Sequence, residues 1–201
     1  MIIVGITGNS GCGKSTVCDY LKNMGAYVID ADKLARDITE PYGLAYNDII
    51  SEFGEEILTD KGFIDRKKLA ALIFSSKEKQ LKLQDITHGH ILKAMLNEAH
   101  SIGEKVKNAV VIFDAPLLFE SGLNKKCDWV WVVDSDYENK IARIMNRDSL
   151  TETEAKRRLN SQTDPEILKK KADGVIMNNG TEAELYRKTE IMFKEIILTA
   201  L

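Results

Sequence analysis

Ile2-Ile3-Val4-Gly5-Ile6-Thr7-Gly8-Asn9-Ser10-Gly11-Cys12-Gly13-Lys14-Ser15-Thr16 stands at the head of the chain, directly after Met1. Residues Ile2 to Ile6 form a short apolar, largely β-branched run that ends in a glycine cluster, the mark of a buried strand. Gly8 to Ser15 then matches the phosphate-loop pattern G-x-x-x-x-G-K-[ST] in full. The chemistry explains the spacing. Gly8, Gly11 and Gly13 let the backbone turn tightly and aim its N–H groups at an anion. The helix that starts there adds unpaired donors and a favourable dipole. Lys14 reaches for the β- and γ-phosphates, the Ser15 hydroxyl suits Mg²⁺, and Thr16 adds a donor near the α-phosphate. The alternative is a glycine-rich turn with a solvent-facing lysine, but the strand before the motif and the helix after it speak for triphosphate binding. Cys12 occupies a variable position of the motif. A thiol at a helix N-terminus also invites a redox reading, which we set beside the incidental one.

Outward from this motif, helix-compatible residues run from about Lys14 to Met24. Gly25 is suited to a left-handed C-terminal cap, and the apolar run Ala26 to Ile29 follows. Strand, helix and strand within about 30 residues make a right-handed βαβ unit. Ala109 to Phe113, Trp129 to Val133 and Val175 to Met177 are further buried-strand candidates. Five such strands separated by helical stretches predict an α/β fold, a parallel sheet with helices on both faces.

Two stretches interrupt the rhythm. Residues of about 31 to 107 hold no comparable strand and read as helical, with ten bases against five acids over 61–107. Residues 140 to 171 carry nine bases against five acids. Ser75 with Glu78, Thr151 with Glu154, and Thr181 with Glu184 have capping-box spacing. Leu185, Met192, Phe193 and Ile196 form the expected core stripe of the last helix. The predicted organisation is one kinase domain over 1–201. Its core covers about 1–30, 108–139 and 172–201, its helical substrate lobe about 31–107, and its lid about 140–171.

Composition sets the limits. The 201 residues are 44% hydrophobic and 29% charged, enough for a real core. A net charge of −3 argues against a general nucleic-acid coat protein. Cys12, Cys18 and Cys127 have the spacing of neither a disulfide framework nor a zinc site, which fits a reducing compartment. The start of the chain shows no basic leader and no run long enough for a membrane span. The expectation is a cytoplasmic protein with no nucleic-acid or membrane partner. No Asn-Lys-x-Asp guanine element stands in a plausible position.

Several side chains suit phosphoryl transfer. Asp30-Ala31-Asp32 follows the second strand, on the sheet edge where ligands of open α/β sheets bind. A carboxylate there can take the proton of an attacking hydroxyl, and Asp32 is favoured for it. The other reading is that these acids cap the next helix and pair with Lys33 or Arg36. Asp114 ends the third strand as a metal-holding acid would, or else caps the following turn. Arg143 and Arg147 share one helix face and suit a clamp on phosphate oxygens, with Arg157 and Arg158 farther on. A solvated charged face is the competing reading for any one of them.

Taken together these residues resemble the dephospho-CoA kinase family, over essentially the whole chain. The marks are Gly5-Ile6-Thr7-Gly8, Ile29-Asp30-Ala31-Asp32, and Gly62, Ile64, Asp65, Arg66, Leu69 and Phe74. Pro116-Leu117-Leu118-Phe119-Glu120, Arg143, Arg147, Ser161-Gln162, Ala172-Asp173 and Asn178 to Gly180 complete the order. The resemblance implies a P-loop NTPase fold like that of nucleoside monophosphate kinases, with a five-stranded parallel sheet, a helical acceptor-binding insertion and a helical lid. It implies ATP as co-substrate, Mg²⁺, and dephospho-CoA as acceptor. It makes Lys14, Asp32, Arg143 and Arg147 catalytic, and Ser15 and Asp114 metal-holding. Gly11, Cys12, Gly13, Lys14, Ser15, Thr16, Asn178 and Gly180 line the nucleotide, and Asp32, Arg66, Leu117 and Glu120 the acceptor. Two positions depart from the family pattern. His88-Gly89-His90-Ile91 stands where a His-Pro pair is usual, and losing that proline is expected to relax a helix start there. Asn139 stands where glutamine is usual. Another small-molecule or nucleoside monophosphate kinase, and a nucleotide-gated binding module, are the alternative readings.

Overall fold

The computed structural model describes residues 1–74 and 76–199. The first strand, β1 (Ile2–Thr7), leads through the glycine loop into α1 (Lys14–Asn23) and β2 (Tyr27–Asp30). Strands β3 (Val110–Asp114), β4 (Trp129–Asp134) and β5 (Gly174–Met177) complete a five-stranded parallel sheet in the order β2-β3-β1-β4-β5. β1 lies between β3 and β4, with Ile6 opposite Asp114 on one side and Trp131 on the other. β3 is buried along its whole length and β4 beyond Trp129, which is why these strands read as unbroken apolar runs rather than alternating ones.

The chain divides into two compact units, Met1–Ile29 with Ala99–Leu201, and Asp30–Glu98. In the first, Val4, Ile6, Val110, Ile112, Trp131 and Val133 alternate along their strands and share a core with Val17, Cys18 and Leu21 of α1. Leu185, Phe193 and Ile196 of α9 (Glu182–Thr199) join that core, with Met192 packed against it, as the helical spacing predicted. Between β4 and β5 the chain makes α6 (Tyr137–Asp148), α7 (Glu152–Asn160) and α8 (Pro165–Lys171). Ile141 and Ile144 of α6 pack on Ala155 and Leu159 of α7 as a small separate core.

The second unit holds α2 (Ala31–Asp37), α3 (Tyr46–Phe53), α4 (Arg66–Phe74) and most of α5 (Lys77–Lys105). Its core is its own: Ile38, Ala45, Ile49, Phe53, Ile57 and Leu69, flanked by Leu83, Ile86 and Ile91 of α5.

Local signals and structure differ in two places, and a third signal falls on a residue outside the described ones. Ala26 belongs to the cap of α1 and not to the second strand: its N–H bonds Leu21 O at 3.0 Å while Gly25, in the left-handed region, bonds Lys22 O. Ser75 lies outside the described residues, and the Ser76 hydroxyl accepts from Lys79 N–H at 3.4 Å at the start of α5. No helix begins at His88–Ile91. α5 runs unbroken through all 29 of its residues, so Gly89 is an interior helical residue. The other two capping boxes form, Thr151 with Glu154 and Thr181 with Glu184. Among the described residues no helix is long and apolar enough to cross a membrane.

Candidate active site

The loop between β1 and α1 is folded by contacts from four directions. Thr7 Oγ1 donates to Pro116 O at 3.0 Å, and Cys12 N–H closes a turn on Asn9 O. Gly11 is left-handed (φ 78°), and a Cβ there would stand 2.6 Å from Lys140 O, so no other residue fits against α6. A phosphate loop turns its carbonyls outward so that its amides face an anion, and those carbonyls then need donors. Arg143 Nη1 donates to Gly11 O at 3.2 Å and reaches Cys12 O at 3.5 Å, while its Nη2 donates to Asn178 O, just beyond β5, at 3.0 Å. The Asn178 amide donates to Cys12 O at 2.9 Å. Gly13, also left-handed, is the N-cap of α1, which has no side-chain cap and no acid in its first turn. The donors at this helix start are therefore left for a ligand, and an anion is the ligand they suit.

Lys14 forms an ion pair with Asp114, both largely buried, at 14% and 11% side-chain exposure. Burial opposes the ammonium charge, but the Asp114 carboxylate outweighs it and holds Lys14 above the usual lysine range. Ser15 is exposed and Thr16 half-buried in the first turn of α1. No group of three His, Cys, Asp or Glu side chains suited to a metal occurs among the described residues. One hydroxyl and one carboxylate instead fit a hard cation that brings its other oxygens from water and phosphate, as Mg²⁺ does. The redox reading of Cys12 is overturned. Its thiol is 1% exposed, and burial pushes its pKa up to about 11.

Arg147 is held bidentate by Asp148, which also binds Arg158 at 2.7 Å. Leu117 is exposed, whereas Leu118 beside it is fully buried. Glu120 accepts from Thr163 Oγ1 at 2.8 Å. Gly180 precedes the capping box of α9, and Asn178–Asn179 is tied to the end of β4 through Ser135 and Asp136.

Sequence reasoning missed a buried ion pair. Lys140 Nζ meets Asp134 Oδ1 at 2.7 Å with both side chains at 5% exposure or less, and Lys169 approaches Oδ2 at 3.3 Å. A signal existed: Lys140 stands beside Ile141 and one turn from Ile144 on the apolar face of α6, where a lysine requires a partner. Gln162 and Thr163, which bond the phosphate loop, were also missed as contacts.

In the second unit, Asp30 is the N-cap of α2, accepting from Asp32 N–H at 2.8 Å and Lys33 N–H at 3.0 Å. The capping reading thus holds for Asp30. Asp32 lies exposed in the first turn of α2. Arg66 opens α4 and, with Arg36, borders a cavity of about 260 Å³ walled by Phe63, Ile64, Leu69 and Leu83. His90, in the departure from the family pattern, bonds Asp48 of α3 at 2.7 Å.

The family model for dephospho-CoA kinase matches residues 2–184. A dephospho-CoA kinase of Fusobacterium nucleatum is 45% identical over 190 residues, 94% of this chain and 96% of that protein. Among solved structures, the dephospho-CoA kinase from Campylobacter jejuni superposes with a TM-score of 0.74 at 32% identity, covering 99% of this chain and 98% of that one. Shikimate kinase from Acinetobacter baumannii, at 16% identity and a TM-score of 0.54 over 100% and 96% of the two chains, shares the fold alone. With the phosphate loop intact and the match running from β1 into α9, the chain belongs to the dephospho-CoA kinase family.

Proposed function

We propose that this chain transfers the γ-phosphoryl group of ATP to the ribose 3′-hydroxyl of dephospho-CoA, giving CoA and ADP, the final step of coenzyme A synthesis. The observation that carries the reading is the uncapped, acid-free start of α1 with Lys14 and Asp114 paired beside it, in a chain of this family. Lys14 exchanges Asp114 for the β- and γ-phosphates, and the amides of Gly11 to Thr16 take the remaining oxygens. Mg²⁺, held by the Ser15 hydroxyl and Asp114, supplies neutralisation of the triphosphate charge. Asp32 orients the acceptor hydroxyl and takes its proton. Arg143 and Arg147 offset charge on the transferring group, and Asn178 and Gly180 border the adenine.

Acceptor binding falls to Arg66, Leu117 and Glu120, with residues of about 31–107 as the substrate lobe and 140–171 as the lid. Two arginines at the rim of an apolar cavity suit a molecule that joins phosphates to a long uncharged arm. Cysteine usage favours the cytoplasm as the place of action.

The test is to incubate the purified chain with Mg·ATP and dephospho-CoA, follow ADP release, and identify the product by mass. CoA and ADP form one to one, while AMP and adenosine remain unphosphorylated. ADP release without CoA overturns the assignment.

A further inference from the structure

Gln162 and Thr163, two of the four residues between α7 and α8, hydrogen-bond two different parts of the first unit. Asn9 Nδ2 donates to Thr163 O at 2.9 Å, and Ser10 N–H donates to Gln162 Oε1 at 2.9 Å. Thr163 Oγ1 donates to Glu120 Oε1 at 2.8 Å. Ser10 N–H belongs to the first half of the phosphate loop, so that half is set by a side chain more than 150 residues away in sequence. Asn9 is buried, which makes its bond to Thr163 a fixed joint.

The turn itself is stiff. Gln162 N–H bonds Leu159 O at 3.2 Å, prolonging the end of α7. Asp164 caps α8 through Glu166 N–H at 2.9 Å, and Pro165 holds the first helical position. A turn locked on both sides transmits a displacement rather than absorbing it. The Thr163 hydroxyl and the Thr163 carbonyl belong to one residue, so Glu120 and Asn9 are separated by a single side chain and its own backbone.

We infer that the Gln162–Thr163 turn couples the phosphate loop to Glu120, so that nucleotide and acceptor each strengthen the binding of the other. Neither residue touches a reacting atom; both are positioning residues. The inference rests on the reading of Glu120 as an acceptor contact. Such coupling is reciprocal, and linked sites commonly show factors of about 5 to 150.

The experiment uses the full chain and calorimetric titration of dephospho-CoA, with and without saturating Mg²⁺ and β,γ-imido-ATP. The wild type binds dephospho-CoA about fivefold or more tightly in the presence of the nucleotide analogue. Thr163→Val, which removes the hydroxyl and keeps the carbonyl, brings that ratio below about twofold, and Thr163→Ser restores it. Gln162→Met, similar in shape but with a weakly accepting thioether in place of the amide oxygen, lowers it as well. A residue that merely braces the fold would shift Tm and leave the ratio alone. A wild-type ratio of one, or an unchanged ratio in Thr163→Val and Gln162→Met, overturns the coupling. Glu120→Gln separates the two claims. If it binds dephospho-CoA as the wild type does, the reading of Glu120 fails and the coupling falls with it. If it binds weakly while Thr163→Val keeps the full ratio, only the coupling fails.

Discussion

Asp30 and Asp32 stand two positions apart and are used differently. The Asp30 carboxylate accepts from the amides of Asp32 and Lys33, which fixes the start of α2. Asparagine caps about as well as aspartate, so Asp30→Asn leaves α2 in place. On the proposed mechanism, Asp32→Asn lowers kcat by about 10²-fold or more, in the range of a lost general base. Initial rates of ADP release check this, and a near-normal kcat removes Asp32 from the chemistry. Asp134 is a residue of the opposite kind, important for stability. Asp134→Asn strands the Lys140 ammonium at 4% exposure and destabilises the fold by about 3 kcal/mol. Urea unfolding measures this, and Lys140→Met in the same background recovers most of the loss. The residues of the phosphate loop were legible because eight consecutive residues, Gly8 to Ser15, carry the whole motif. The partners of Arg143, Lys140 and Gln162 were not, since each lies on another element and no periodicity within a segment encodes it.

Helix α5 tests how far element-level signals reach. The sequence shows a glycine between two histidines where the family resemblance led us to expect a proline, and that combination read as a weak helix start. The structure shows a continuous helix, because Leu83, Ile86 and Ile91 on one face pack into the core of the second unit and hold the segment helical across Gly89. Tertiary packing overrides the local preference. A Cβ at Gly89 would meet nothing within 4 Å, and its φ is not left-handed. Gly89→Ala therefore stabilises the chain by about 1 kcal/mol, seen as a higher urea midpoint with an unchanged slope. A destabilised variant would show that the helix bends or opens at this point in solution. The strands and the capping boxes at Thr151 and Thr181 were legible for the opposite reason. Their signals are local and agree with the tertiary structure.

At the scale of the whole molecule, burial keeps the three thiols silent. It raises Cys12 to about 11 and Cys127, helped by Asp128, to about 12, and Cys18 rises well above its ordinary value. The folded chain therefore reacts slowly with a disulfide reagent at pH 8, and three thiols appear on denaturation. A rapidly reacting thiol in the native protein would contradict this burial. In the unfolded chain these groups ionise near 9.0, so above that pH the unfolded state binds fewer protons than the native one. Their contribution is whole below pH 9 and declines as pH rises toward 11, which urea midpoints at pH 8 and 10 record. Asp134 holds Lys140 near the start of the α6–α8 excursion and Lys169 near its end. Ser149, exposed and left-handed between α6 and α7, is the natural place for a protease to cut. A chain severed there keeps its later fragment through that shared anion, the β4–β5 pairing and the α6–α7 core. The two pieces, expressed separately, are therefore suited to reassemble as a split enzyme.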